Sequence, residues 1–412
     1  MQKIEKSRDR RSTDRSIAGG TDKNPDRTPD GRPDGTSDRK PDKTPDRTPD
    51  GIQGRNPDGK GAQRNTGGNI GEIGRDTGRD YNVELIRILS CVMVIVIHVT
   101  NYYCRAYGDI GQGEYLFSLL LNTLSRVSVP CFFMISGAFL LAVQDTVRDY
   151  AQRLKRFVPV LAVWSAVYYC WNTFYIGVSY DLREILCVPV ERHLWYLYAM
   201  IPIYLVLPFF QMIFKAMDRK WEFLFLIVTG GAVVFNYLTS LADSRAYYDL
   251  PLVGDRVYSF YVFLGYFLYK YRKEIRIGQK TSAVLFAACA VLVAGLTLAG
   301  SRAEGAHYEK VLQYGDPLIV VMSAVFFLFL LRLKDGKIPL PARRKRRMDL
   351  LSQCSFGIYL IHILFFTAYK KYMLPQELPA WIAVPLLTAG ITAVSFFSVF
   401  LLRKWRWGRK IT

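Results

Sequence analysis

Residues 84–103 read ELIRILSCVMVIVIHVTNYY, a long apolar run broken by a few polar side chains. About 20 mostly apolar residues are what an α-helix needs to cross the hydrocarbon core of a bilayer. Because lipid offers no hydrogen-bond partners to the backbone, repeated runs of this kind predict an all-α polytopic membrane protein. From residue 81 onward we find ten such runs, which predict about ten transmembrane helices, at approximately 83–103, 115–142, 157–177, 194–214, 222–241, 256–271, 281–300, 314–333, 351–369 and 380–402.

The apolar residues are distributed unequally along the 412-residue chain. The chain is 50% apolar, but few apolar residues fall among the first 80. Residues 81–412 are therefore about 60% apolar, above the 45–50% of soluble domains. This composition excludes a water-soluble enzyme of two packed domains. The seven cysteines are too sparse for a secreted disulfide scaffold.

The formal net charge of +19 does not indicate a nucleic-acid partner, because the basic residues fall in short blocks between apolar runs. Such blocks mark the cytoplasmic loops of membrane proteins. With the N-terminus inside, cytoplasmic segments after the tail carry 25 Lys and Arg, and outer loops carry nine. The run from Arg343 to Arg347 contributes most. We therefore predict a multi-pass protein of the cell membrane with both termini cytoplasmic.

Residues 1–80 form a low-complexity tail in which prolines between Pro25 and Pro57 are each followed by aspartate in a four-residue register. A segment with so few apolar residues cannot offset the entropy of ordering, so we predict that it is disordered. It is interpreted as a flexible leader or, alternatively, as a tether that acts through its mixed charges. The predicted domains are this tail and a membrane domain at 81–412.

Three ionisable side chains interrupt the first apolar run. Arg87 and His98 are eleven residues apart, about three helical turns, so they share one face about 16 Å apart along the axis. Glu84 precedes Arg87 by three residues and is close enough to pair with it. A lone buried histidine often serves only packing. Three ionisable groups on one stripe inside a membrane instead favour a functional site.

Arginines occur at two further places. Arg126 lies near the middle of the second run, where it needs an anion or carbonyl partner, and Ser136 follows beside Gly137, a pair also typical of close helix packing. Arg153 and Arg156 are three residues apart at a predicted membrane boundary. Because arginine binds phosphate in a bidentate manner, they suit a polyphosphate, although positive-inside loops also produce such pairs.

The other candidate residues surround two more histidines. His193 and Trp195 begin the fourth predicted span at the outer interface, where Trp195 could also be a residue of the aromatic belt. Tyr359 and His362 share a helical face in the ninth predicted span. His362 is expected at a depth similar to that of His98.

These residues form motifs that resemble the acyltransferase-3 family of polytopic membrane acyltransferases, in its branch of surface-glycan O-acetyltransferases. The resemblance covers about residues 82–402 and includes five motifs in the family's order. The matching positions are Arg87 with His98, the string 132–137, Arg153 with Arg156, the string 193–197 and the string 355–362. The tail has no counterpart in the family.

The resemblance implies transfer of an acetyl group from acetyl-CoA to a hydroxyl of a sugar or other envelope acceptor. Imidazole has the pKa that a general base for this step needs, so we predict His98 as the base, with Glu84 and Arg87 orienting it or charging its face. Arg153 and Arg156 are expected to hold the CoA phosphates.

Arg126 is expected to contact the donor carbonyl or the oxyanion. The remaining candidates are expected to line the acceptor route: His193, Trp195, Tyr359, His362 and Ser136. Acetyl-CoA is a substrate, and we predict no bound cofactor and no metal site.

Two other classes of protein remain possible at the level of sequence. A transporter or flippase of a glycan precursor would also place charged residues along a passage through ten spans. A non-catalytic membrane partner or sensor would use the tail as its working part. The acceptor is open among lipid-linked sugars, capsular polysaccharide, cell-wall glycan and small amino-acid-like molecules.

Overall fold

The computed structural model describes residues 80–178, 188–242, 244, 246–250, 253, 257–333 and 341–412. The predicted disordered tail lies outside these residues, except for Asp80. The described residues are mainly helical, with no named strand among them. The α-helices are α1 (Tyr81–Cys104), α2 (Gln112–Ser125), α3 (Ser128–Leu140), α4 (Val147–Cys170), α5 (Trp195–Ala216), α6 (Arg219–Leu241), α7 (Val257–Lys270), α8 (Gln279–Glu304), α9 (Pro317–Leu331), α10 (Ala342–Tyr372), α11 (Ala380–Leu402) and α12 (Gly408–Ile411).

Eight helical segments among the described residues are long and apolar enough to cross a membrane. They are Tyr81–Cys104, Gln112–Leu140, Arg192–Ala216, Arg219–Leu241, Gln279–Glu304, Lys310–Leu331, Ala342–Tyr372 and Ala380–Leu402. The third and sixth predicted spans are helices that do not meet this test. Helix α4 begins in a charged stretch at Val147, and α7 has only 14 residues. The predicted count of ten spans is therefore not confirmed.

The second predicted span is one of the eight segments, but it is built from two helices. Helix α2 ends at Ser125 and α3 begins at Ser128, with a turn at Arg126 and Val127. Pro130 has no backbone N–H to donate to the Arg126 carbonyl four residues earlier. The break places Arg126 at a bend inside the protein.

Helix α1 lies at the centre of the helical assembly, where it contacts α2, α3, α9, α10 and α11. Asp80 caps its N-terminus by accepting hydrogen bonds from the backbone N–H groups of Asn82 and Val83, which offsets the unpaired donors of the first turn. This position brings the face that carries Arg87 and His98 against other helices and away from lipid.

The short helix α7 is held by two kinds of contact. Gly137 of α3 and Gly265 of α7 bring the two backbones together: a Cβ at Gly137 would lie 1.8 Å from the Val262 carbonyl oxygen. On α6, the buried Glu222 pairs with Lys270 at 2.6 Å and accepts a hydrogen bond from Tyr271. A helix too short to be a span by itself is thus fixed among its neighbours.

Candidate functional site

A cavity of about 1140 Å³ lies among α1, α3, α4, α5 and α10. Nine of the eleven predicted site residues line it: Arg87, His98, Arg126, Ser136, Arg153, Arg156, His193, Trp195 and Tyr359. The other two, Glu84 and His362, lie directly behind the lining and contact residues of it. Residues that are up to 272 positions apart in sequence, such as Arg87 and Tyr359, thus meet at one site.

Three imidazoles meet at the cavity, where His98 and His193 belong to the lining and His362 lies directly behind it. The ring of His362 lies 5.2 Å from the ring of His98 and 5.4 Å from that of His193. His362 is fully buried, and its Nδ1 lies 2.7 Å from the Tyr359 carbonyl oxygen. A carbonyl only accepts hydrogen bonds, so Nδ1 carries the proton in the neutral ring and Nε2 carries the lone pair.

The Nε2 atom of His362 is buried and has no hydrogen-bond partner among the described residues. The His362 ring is adjacent to the ring of His98, which is half-buried and lines the cavity. His193 is held similarly, with Nε2 at 3.3 Å from the Leu360 carbonyl oxygen. Two backbone carbonyls of α10 thus orient two of the three rings.

The Glu84–Arg87 pair lies at the first turns of α1. Arg87 donates to Glu84 at 2.6 Å and to the Ser352 hydroxyl at 3.1 Å, and Ser352 donates to Glu84. This network joins α1 to α10. Since His98 is three turns further along α1, about 16 Å away along the axis, the pair does not touch the imidazoles directly.

Arg153 and Arg156 both line the cavity but differ in their partners. Arg153 makes a bidentate ion pair with Asp145, at 2.7 and 2.9 Å. The Asp145 side chain is only 4% exposed and also accepts from Gln211 at 3.0 Å. Arg156 has no acidic partner among the residues that the structure describes. Sequence reasoning treated the two arginines as equivalent and missed Asp145 and Gln211.

Arg126 lines both this cavity and a second one of about 520 Å³, so it stands at the wall between them. Its Nε donates to Asn122 at 2.9 Å, and Asn122 donates to the Thr100 hydroxyl at 3.0 Å. An amide oxygen is thus one partner of this intramembrane arginine, and Tyr314, which lines both cavities, is another.

Trp195 packs inside the protein against the rings that separate the two cavities. Its ring centroid lies 5.9 Å from that of Tyr314, in a stacked arrangement, and 4.8 Å from that of Tyr258. The second cavity adds polar side chains to these aromatic rings, namely Asn236, Ser240, Glu309 and Gln313. Flat rings and hydrogen-bonding groups in this combination suit a small polar molecule with many hydroxyls.

Between α8 and α9, outside the membrane-spanning helices, the His307 ring shares a hydrogen bond with the Tyr115 hydroxyl at 3.0 Å. Burial lowers the pKa of the His307 imidazole to about 4, so this ring is neutral at physiological pH. Glu309, which lines the second cavity, is paired with Arg105 at 2.8 Å.

Two predicted residues use their hydroxyls to hold the backbone. Ser136 donates to the Phe132 carbonyl of its own helix at 2.9 Å. Tyr359 donates to the His193 carbonyl and so fixes the start of α5 against α10. Both line the cavity, and their placement supports the shape of the site.

Sequence reasoning missed several cavity-lining residues. Lys155 lies between the two predicted arginines, and Trp407, Arg409, Lys410 and Ile411 come from the segment after α11. The basic residues of that segment were visible as a positive-inside block, but nothing local in the sequence indicates that the chain turns back to this cavity.

Comparison with known proteins adds a family match and two distant relatives. Over residues 80–402 the chain matches the family described as an acyltransferase domain, Acyl_transf_3. It is 24% identical over 354 residues to a serine/alanine racemase from Enterococcus gallinarum, covering 80% of this chain and 47% of that protein. It is 24% identical over 319 residues to an amino-acid racemase from Enterococcus faecalis, covering 72% of this chain and 42% of that protein. The chain thus spans less than half the length of these curated relatives, and no solved structure matches it significantly.

Proposed function

The chain belongs to the acyltransferase-3 family of membrane acyltransferases, and from this premise we propose that it transfers an acetyl group from cytoplasmic acetyl-CoA to a hydroxyl of a cell-envelope sugar or polysaccharide. The observation that carries the proposal is the composition of the main cavity along its length. Apart from Arg126, its arginines and lysines lie toward one end. His98 lines it about three turns of α1 further along, with His362 directly behind, and the aromatic wall of Trp195 leads to a second polar cavity.

The arrangement at the imidazoles suits general-base catalysis. The lone pair on Nε2 of His362 accepts the N–H of His98 when the two rings turn toward each other, and this fixes which nitrogen of His98 faces the cavity. That nitrogen takes the proton of the acceptor hydroxyl as its oxygen attacks the thioester carbon.

The proposed step balances without any further reagent. The new C–O bond forms, the C–S bond breaks, and the proton held by His98 passes to the departing CoA thiolate. The guanidinium of Arg126, which Asn122 holds through Nε, leaves N–H groups available for the oxyanion of the tetrahedral intermediate.

The proposed location is the plasma membrane, with the N- and C-termini in the cytoplasm and the cationic end of the cavity facing the cytoplasm. This orientation is supported by the excess of Lys and Arg in the loops on that side. Acetyl-CoA is a cytoplasmic metabolite, whereas envelope glycans lie outside or on a lipid carrier. His98, about three turns into α1, is then reached from both faces.

The names of the two relatives favour a second kind of acceptor. Both are named as amino-acid racemases, and a hydroxyl-bearing amino acid such as serine presents the same nucleophile as a sugar.

The alternative function is that of a membrane transporter or flippase of a glycan precursor, which needs a passage but releases no CoA.

Release of free CoA from acetyl-CoA distinguishes these functions. We expect the purified protein, in vesicles of known orientation, to release CoA thiol only when acetyl-CoA is on the face that carries Arg156, and faster with a glycan acceptor than without. Serine is tested in a parallel reaction. Movement of a labelled glycan across the vesicle without CoA release would support the transporter, and donor use from the opposite face would contradict the orientation.

The two arginines of α4 should respond differently to substitution. Arg156→Ala removes a charge-assisted phosphate contact worth roughly 1.5–3 kcal/mol. Because Arg156 is exposed, solvent screening brings the expected loss toward the lower part of this range. We therefore expect the KM for acetyl-CoA to rise about tenfold with an unchanged KM for the acceptor. Arg156→Lys should recover only part of this, because the planar fork is lost.

Arg153→Ala should instead lower stability, because it leaves the buried Asp145 carboxylate unpaired. We expect a loss of about 1–3 kcal/mol, measured as a lower thermal midpoint of the purified protein in detergent. Arg156→Ala is its matched control and should keep the wild-type midpoint.

Equal KM values for acetyl-CoA in wild type and Arg156→Ala would contradict the phosphate contact and leave Arg156 with a role in membrane topology alone.

A further inference from the structure

We propose that the segment Trp407–Thr412, which follows α11, forms one wall of the donor site and holds the nucleotide end of the acyl-CoA. The proposal rests on the acyltransferase function proposed above. Its basis is that Trp407, Arg409 and Lys410 line the same cavity as His98, although they lie about 310 positions later in the chain. Nothing in the sequence indicated that this segment and His98 line the same cavity.

The segment packs against the end of α11 and against α4. Gly408 is buried, and a Cβ there would lie 1.8 Å from the Leu402 carbonyl oxygen, so the chain turns back at van der Waals contact. The indole N–H of Trp164 on α4 donates to the Ile411 carbonyl at 2.8 Å. The Arg403 guanidinium donates to the Thr412 oxygen at 2.7 Å. These contacts hold the segment against α11 and α4.

The same segment leaves its large side chains exposed at the cavity. Trp407 is 78% exposed, and Arg409 and Lys410 are also exposed. The ammonium of Lys410 lies 5.1 Å from the Trp407 ring centroid. An exposed indole beside two cations presents a stacking surface for a base together with donors for phosphate.

The charges at the cationic end of the cavity, called its mouth here, favour a ligand with several phosphates. Arg87 and Arg153 are paired with Glu84 and Asp145. The other cations lining the mouth have no acidic partner within the described part of the chain: Lys155, Arg156, Arg409 and Lys410. Acyl-CoA carries a diphosphate and a 3′-phosphate monoester, the latter worth about −1.5 to −2 charge at pH 7. The segment thus supplies half of the unpaired cations facing these groups.

A lipid headgroup offers the same phosphate chemistry as acyl-CoA, but the position of these cations favours acyl-CoA. The cations and the indole line a cavity that continues to His98, whereas a phospholipid keeps its headgroup at the membrane surface. A linear donor with its nucleotide at Trp407 can extend its thioester toward the imidazoles.

Binding of coenzyme A and of dephospho-CoA to the purified full chain in a neutral detergent tests the proposal. Arg409→Gln with Lys410→Gln should weaken coenzyme A binding about tenfold, and should reduce any preference for coenzyme A over dephospho-CoA. Trp407→Ala should weaken both ligands, while Trp407→Phe should retain most of the affinity, because a phenyl ring still stacks.

The matched control is Lys404→Gln with Arg406→Gln, which removes two cations from the same stretch that do not line the cavity. It should bind coenzyme A within twofold of wild type, and thermal midpoints should be equal in all variants. Unchanged coenzyme A affinity in the Arg409/Lys410 variant, with a wild type that releases CoA from acetyl-CoA, would overturn the inference alone. A wild type that neither binds coenzyme A nor turns over acetyl-CoA would overturn the proposed function with it.

Discussion

His98→Ala is expected to reduce acetyl transfer by about 10²- to 10⁴-fold, the usual loss when a general base is removed, while leaving a folded membrane protein. The reason is the position of the ring, half-buried at the cavity and 5.2 Å from His362. CoA release by the purified variant measures the loss, and the thermal midpoint verifies the fold. A rate above about a tenth of wild type would show that His98 is not the base.

A second histidine variant provides the control. His307 lies outside the lining of the main cavity, so His307→Ala should keep a rate close to that of wild type. His362→Ala should cause an intermediate loss, since it removes the lone pair that orients His98 but leaves the base in place. A full wild-type rate in His362→Ala would contradict the paired role of the two imidazoles, even if His98 proved essential.

The sequence predicted the helical membrane fold well because long apolar runs leave the backbone few alternatives. It failed where local chemistry competes with apolarity. Pro130 breaks the second run into α2 and α3, and charged residues extend α4 beyond its apolar part. Neither difference changes the fold class. The second run still qualifies as one candidate span, Gln112–Leu140, whereas α4 does not qualify by length and composition.

The site was predictable to the extent that its residues stand out inside lipid. An arginine or histidine in an apolar run is costly and therefore informative, and the residues of this kind do meet at one cavity. Partners in ordinary polar segments were not predictable. Asp145 reaches Arg153 only through the turn between α3 and α4, and Arg409 reaches the cavity only because the chain reverses at Gly408.

Gly137→Ala and Gly265→Ala are expected to prevent stable folding or to lower the thermal midpoint by many degrees. A Cβ at Gly137 would lie 1.8 Å from the Val262 carbonyl oxygen, and one at Gly265 would lie 2.1 Å from the Met134 carbonyl oxygen. Both obstacles are backbone atoms that cannot rotate away. Overpacking of a core typically costs 1–3 kcal/mol, and forcing two backbones apart should reach at least the upper part of that range.

The controls are helical glycines with open space around them. A Cβ at Gly295 or at Gly390 meets nothing within 4 Å, so Gly295→Ala and Gly390→Ala should keep or raise the midpoint, because alanine favours a helix by about 1 kcal/mol over glycine. Size-exclusion profiles and thermal midpoints of the four variants in detergent make the comparison.

The consequence for function follows from the place of α3. Gly137 adjoins Ser136, and α3 also contributes Phe132 and Ile135 to the cavity wall. If α7 moves away from α3, that wall loses its support, so any Gly137→Ala protein that folds should release CoA more slowly than its control. A Gly137→Ala or Gly265→Ala variant as stable and active as Gly295→Ala would mean that α7 does not pack on α3 as described.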